Sequence, residues 1–221
     1  MSRNWEVLGE TGLQFFGKMS ASISHEIKNV MAIINENAGL LEDLTVMAEK
    51  GMPLNPERLK TAAGRIMKQI RRGDDIIKGM NRFAHSVDEP MRLADLNDTL
   101  ALTCALSGRF ASMQGVTLAL EPPSTQVAVI TNPFFLQNLI WLCLDFAVGS
   151  AGAGKTVVLR AEKTENGAKI HFSKLKDLAN RDTDSFPGER EKALLQALKA
   201  VLLIHKESGE MLLTLPAQFE S

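Results

Sequence analysis

Two long runs of apolar residues at helical spacing, separated by one short turn signal, restrict what this chain can fold into more than any other feature. In the first run Phe16, Met19, Ile23, Ile27, Val30, Ile34, Ala38, Leu41, Leu44 and Ala48 recur every three or four residues, the pattern of a helix with one buried face. This spacing predicts a helix from near Gly9 to Glu49. The segment Lys50-Gly51-Met52-Pro53-Leu54-Asn55-Pro56 then combines a glycine stop with a new start, Asn55 as the N-cap and Pro56 as the first helical residue. Leu59, Ala63, Ile66, Ile70, Gly73, Ile77, Met80 and Ala84 continue the spacing in a second helix. Long helices joined by a short loop form an antiparallel hairpin. A lone hairpin has little to bury its stripes against, so packing alone predicts a homodimer in which two copies build a four-helix bundle.

Near Asp88-Glu89-Pro90 the pattern changes, and strands alternate with helices beyond it. The 221 residues divide on this reading into a helical domain, 1–90, and a second domain, 91–221, each of ordinary domain size. In the second, Asn97 is placed to cap a helix reaching Met113. Val116 to Leu120 and Gln126 to Ile130 read as short strands. Asn132 and Pro133 open a helix to about Val148, and further strands are expected at Thr156 to Ala161 and Lys169 to Ser173. A last helix spans Gly188 to Lys206, and Met211 to Leu215 reads as a final strand. The order suits an α/β sandwich with helices on one face of a mixed sheet, so the fold class is α+β.

Composition removes several function classes. A formal net charge of -1 offers no field to gather nucleic acid. No apolar run is long enough to cross a bilayer and the polar start does not resemble a secretory signal, so the expectation is a soluble, cytoplasmic protein without membrane contact. Cys104 and Cys143 both sit in apolar helical patterns and read as reduced core residues. His85, His171 and His205 have no partners at metal-ligand spacing.

His25 stands apart. It lies off the apolar stripe within Ser20-Ala21-Ser22-Ile23-Ser24-His25-Glu26-Ile27-Lys28-Asn29, with Ser22 and Asn29 as helical neighbours and Glu26 next round the turn. A carboxylate near an imidazole can hold one ring nitrogen as N–H and leave the other as a nucleophile. The segment Ser24 to Met31 resembles the H-box of bacterial sensor histidine kinases: histidine, glutamate, an apolar residue, a basic residue and asparagine, with Val30 where the family has proline. The resemblance implies that His25 accepts a phosphoryl group, that Glu26 polarises its ring and that Asn29 orients water or the moving phosphoryl. It implies response-regulator receiver domains as partners, docked near Ser22 and Lys28, and no cofactor of the chain's own, since a receiver brings its magnesium. The basic residues of the second helix read either as a solvated face or, at Arg71 and Arg72, as a place to dock an acidic receiver pocket.

The layout of the second domain likewise resembles the ATP-binding domain of that family, down to the closing Thr214-Leu215-Pro216. Its nucleotide motifs are missing. The helix opened by Asn132 has Trp141 and Asp145 where the family has two asparagines, one of them binding magnesium, Ser173-Lys174-Leu175-Lys176-Asp177-Leu178 lacks the glycine-rich loop, and Phe186-Pro187-Gly188-Glu189 supplies a single glycine. Gly149-Ser150-Ala151-Gly152-Ala153-Gly154-Lys155-Thr156 does fit the P-loop formula, but that loop needs a strand before it and a helix after it. Here the order is reversed, which predicts a helix-to-strand turn.

The expected function is therefore a histidine phosphotransferase that relays phosphoryl groups between receiver aspartates through His25 without binding ATP. Its rivals are a non-catalytic module that binds receivers or a kinase, an atypical kinase, and a receiver phosphatase using Asn29.

Overall fold

The computed structural model describes residues 2–123 and 125–217. They form two compact units: one runs from Ser20 to Arg82, and the other joins the residues up to Met19 with those from Phe83 onward.

The first unit is built from the part of helix α1 (Ser2–Glu49) that follows Met19 and from helix α2 (Pro56–Ala84) up to Arg82. Helix α1 starts before the expected Gly9 because Leu8, itself buried, extends the apolar spacing toward the N-terminus. At its other end Gly51, at φ +86, donates its N–H to the Ala48 carbonyl at 2.9 Å, and Met52 donates to the Met47 carbonyl at 3.1 Å. These paired bonds satisfy the last free carbonyls through a left-handed residue, a conformation that glycine adopts at little cost. Asn55 caps α2 as expected: its Oδ1 accepts from the Glu57 and Arg58 N–H groups at 3.0 and 3.3 Å.

Between the helices Ser22, Ile23, Val30, Asn37 and Leu44 of α1 and Ala62 of α2 are buried. A Cβ on Gly73 would stand 3.4 Å from Val30, so this glycine marks a close approach of α2 to α1. The expected stripe of α2 needs correction. Ile70, Ile77 and Met80 face outward, at 44%, 45% and 36% exposure, while Leu59, Ala62, Ile66, Gln69, Gly73 and Ile76 turn inward to varying depth. Two apolar stripes are interleaved on this helix, and their spacing in sequence is the same.

The second unit contains β1 (Arg92–Asp95), α3 (Leu96–Met113), β2 (Thr117–Leu120), β3 (Ala128–Thr131), α4 (Pro133–Gly149), β4 (Thr156–Thr164), β5 (Gly167–Ser173), α5 (Glu189–Ala197), β6 (Val201–His205) and β7 (Glu210–Pro216). A five-stranded sheet has the order β2-β4-β5-β7-β6. Its β2–β4 pair is parallel and the others antiparallel, while β1 and β3 form a separate antiparallel pair. The fold is α+β with a mixed sheet. Ala168, Ile170 and Phe172 of β5 and Met211, Leu213 and Leu215 of β7 are buried on one face, with α3 and α4 in contact with the sheet. The alternate residues Lys169, His171 and Ser173 stay partly solvated, the period of two that a half-buried strand requires. A Cβ on Gly167 would lie 2.0 Å from the Leu215 carbonyl oxygen, so no larger residue fits where β5 begins.

Three expectations here are corrected. Asp95, not Asn97, caps α3: its carboxylate accepts from the Asn97 and Asp98 N–H groups at 2.8 and 3.2 Å, and strand β1 leads into it. The last helix stops at Ala197, where Lys199 turns left-handed at φ +48. Val201-Leu202-Leu203-Ile204 then pairs with β7 as a strand, which places His205 on that strand rather than on a helix. Both cysteines are free. Burial pushes the Cys104 thiol up to about 12 and raises that of Cys143 further, so both remain unreactive thiols.

Candidate functional site

His25 lies about midway along α1 and its imidazole is exposed. It has no hydrogen-bond partner among the described residues. Asn29, one turn on, and Lys28 are exposed as well. Ser22, by contrast, is buried at 5% exposure, so its side chain is not part of the surface round His25. This follows from its position on the helix: Ser22 lies one turn before Glu26, on the side that α2 covers.

The Glu26 carboxylate is not on the His25 ring. It is ion-paired with the Nη2 of Arg72, which reaches across from α2. Arg71 is exposed beside it. The pairing brings together two residues that the sequence reading assigned to different tasks, ring polarisation and receiver docking. A signal for it does exist in the sequence. Counting equal steps both ways from Gly51 sets residue 72 opposite residue 30, and a long arginine spans the remaining turn to Glu26.

A second histidine is arranged more like a polarised one. His85, just beyond α2, has Nδ1 at 2.7 Å from Asp88 Oδ2, and both side chains are largely solvated. Such a carboxylate fixes the tautomer and leaves Nε2 free. On the outer sheet face His171 is held between Arg160, at 3.1 Å, and Glu162, at 2.9 Å. Arg160 also pairs with Glu162 and Glu121, a closed charge network that reads as structural. No group of three or more potential metal ligands occurs among the described residues.

The glycine run that fits the P-loop formula lies at the end of α4, followed by a short helical turn at Gly152–Gly154 and then by β4. Three of its amides are committed. Ser150 and Ala151 donate to Ala147 and Val148, and Lys155 donates to Gly152. The segment after β5 covers the run: Asp177 N–H bonds the Ser150 carbonyl at 3.0 Å, Lys176 lies along Gly154, and the Arg181 guanidinium rests on Gly149. Arg181 also sits over the Phe146 ring, and that ring stacks on Phe186 at 4.1 Å. A helix C-terminus with carbonyls outward repels phosphate rather than holding it. The helix-to-strand turn expected from the sequence is what forms.

The sequence matches no protein-family model and no curated protein. Among solved structures it is similar to the catalytic domain of the histidine kinase ThkA, at 10% identity and a TM-score of 0.48 over 60% of this chain and 100% of that one. It is similar to the histidine kinase AdeS of Acinetobacter baumannii at 11% identity and a TM-score of 0.45, covering 87% of this chain and 98% of that one. A structure of ThkA in complex with the response regulator protein TrrA matches at 17% identity and a TM-score of 0.46, over 93% of this chain and 63% of that one. No helix among the described residues is long and apolar enough to cross a membrane.

Proposed function

We propose that this chain is a histidine phosphotransferase of a two-component relay, with His25 as the phosphoryl carrier. The observation that carries this reading is the exposed imidazole of His25 on α1, without a partner among the described residues and one turn from the exposed Asn29. In the transfer a neutral ring nitrogen attacks the phosphorus of a receiver's aspartyl phosphate. The N–P bond forms as the P–O bond breaks, the aspartate leaves as a carboxylate with the electron pair, and the other ring nitrogen keeps its proton. Such a step depends on in-line placement and charge neutralisation, and the receiver supplies its own magnesium. Asn29 is within reach to orient the phosphoryl. The committed amides and the Arg181 cover on the glycine turn favour a relay over an ATP-dependent kinase, and the second unit then serves as a docking and orienting surface.

The test uses a receiver domain loaded from radiolabelled acetyl phosphate. Acid-labile label is expected to pass to the chain within minutes, and none from labelled ATP alone. Label from ATP would favour the kinase reading, and receiver binding without label the non-catalytic module.

We infer further that the working form is a homodimer through the helical unit. Ala63, Met67, Ile70, Ile77 and Met80 form an exposed apolar stripe along α2, which a second copy would cover in a four-helix bundle. Covering each large aliphatic side chain is worth about 1.5–3 kcal/mol. Light scattering is expected to give a dimer for the native chain and a monomer for the Ile70→Asp, Ile77→Asp double variant. An unchanged mass in the variant would place the contact elsewhere.

A further inference from the structure

We propose that Arg72 is the counter-cation of phosphorylated His25, bridging the Glu26 carboxylate and the phosphoryl group; this rests on the phosphotransfer reading above. Phosphorylation adds about 1.5–2 negative charges to the ring, one residue from a carboxylate that already carries one. Unless a cation is nearby, the two repel. The chain places one there: Arg72 is bonded to Glu26 through Nη2, which brings its guanidinium to the residue that follows His25.

Two features single out Arg72 among the basic residues of this region. Only Nη2 is engaged, the remaining donors of the planar fork have no partner among the described residues, and the side chain is 49% exposed. It can therefore accept a second anion without releasing the first. The Glu26 bond also fixes the side chain in advance, so less rotamer freedom is lost when the phosphoryl arrives. Lys28, three residues after His25, is solvated and has no partner among the described residues. Its compact, strongly hydrated ammonium is suited to a transient role in docking. Arg72 is thereby reassigned: its task is to hold the phosphoryl on the chain, and it sets the balance between His25 and the receiver aspartate rather than the affinity for the receiver.

The experiment measures the equilibrium division of label between His25 and a receiver loaded from radiolabelled acetyl phosphate, together with the receiver concentration giving half-maximal transfer. Arg72→Gln is expected to shift label toward the receiver by about fivefold, the size of one partly exposed, charge-assisted contact. The half-maximal concentration should stay unchanged. Arg72→Lys should recover part of the shift, and the difference between native and Arg72→Gln proteins should shrink at high salt. An unchanged division in Arg72→Gln, with the native chain labelled, overturns the counter-cation role while leaving the relay intact. A raised half-maximal concentration with an unchanged division overturns it in favour of docking. If the native chain takes no label from any receiver, the relay reading fails first and the counter-cation role with it.

Discussion

A His25→Gln protein mixed with labelled receiver is expected to carry no acid-labile phosphate, a loss on the order of 10³-fold or more, because the imidazole proposed to form the N–P bond is gone. Glutamine has a similar length and no nucleophilic nitrogen, and the native side chain is exposed, so the fold should change by less than about 0.5 kcal/mol. The control that gives this result its force is His85→Gln. His85 has the carboxylate partner, Asp88 at 2.7 Å, that His25 lacks, and on tautomer control alone it is the better-prepared ring. Its site differs: it follows the last turn of α2 in a short helical turn, without an asparagine one turn on and without a glutamate–arginine pair at the next residue. His85→Gln is therefore expected to keep full labelling. Label that survives His25→Gln and vanishes in His85→Gln would move the acceptor to His85 and sink the assignment made above.

The contrast between these histidines bears on what could be read from the sequence. The hairpin was legible because its signals are local: Gly51, Asn55 and Pro56 act on backbone groups within a few residues of themselves. The exposure of His25 was legible for the same reason, since one helical period decides it. The Arg72–Glu26 pair is legible only through the register between two helices, which the Gly51 turn sets and one helical period does not. The phase of the apolar stripes was ambiguous wherever two neighbouring residues are both apolar. Phe16 was placed on the buried face, yet Phe15 is fully buried and Phe16 is 44% exposed. Ile76 and Ile77 exchange places in the same way. Strand β6 was hidden because Val201-Leu202-Leu203-Ile204 continues an apolar helical run without a proline or glycine to stop it. The left-handed turn at Lys199 is set by pairing with β7, a contact distant in sequence from the helix it ends.

Phe15→Ala is the substitution expected to harm stability most, by about 3–5 kcal/mol, the range for truncating a buried phenylalanine. Phe15 has no solvent exposure and touches three rings of its own unit. It meets Phe83 edge-on at 5.4 Å and 90°, and lies 5.6 Å from both Phe134 and Trp141. Each such pair adds about 0.5–1.5 kcal/mol beyond its buried area, and the neighbours are too constrained to close the gap, since Trp141 is also held under Lys18. Trp141 provides the readout in a Trp5→Phe background, which removes the exposed second tryptophan. Urea unfolding followed by its emission should move to a much lower midpoint in Phe15→Ala, with a red-shifted native signal as water reaches the ring. Leu13→Ala, two residues away on the same helix but 76% exposed, should shift stability by less than about 0.5 kcal/mol. Because the first turns of α1 contribute this ring to the sheet-bearing unit, the helix that carries His25 is also a structural element of the second unit. Equal effects of the two substitutions would mean that the phase of α1 derived from Phe15 is wrong, and with it the packing of those turns against α4.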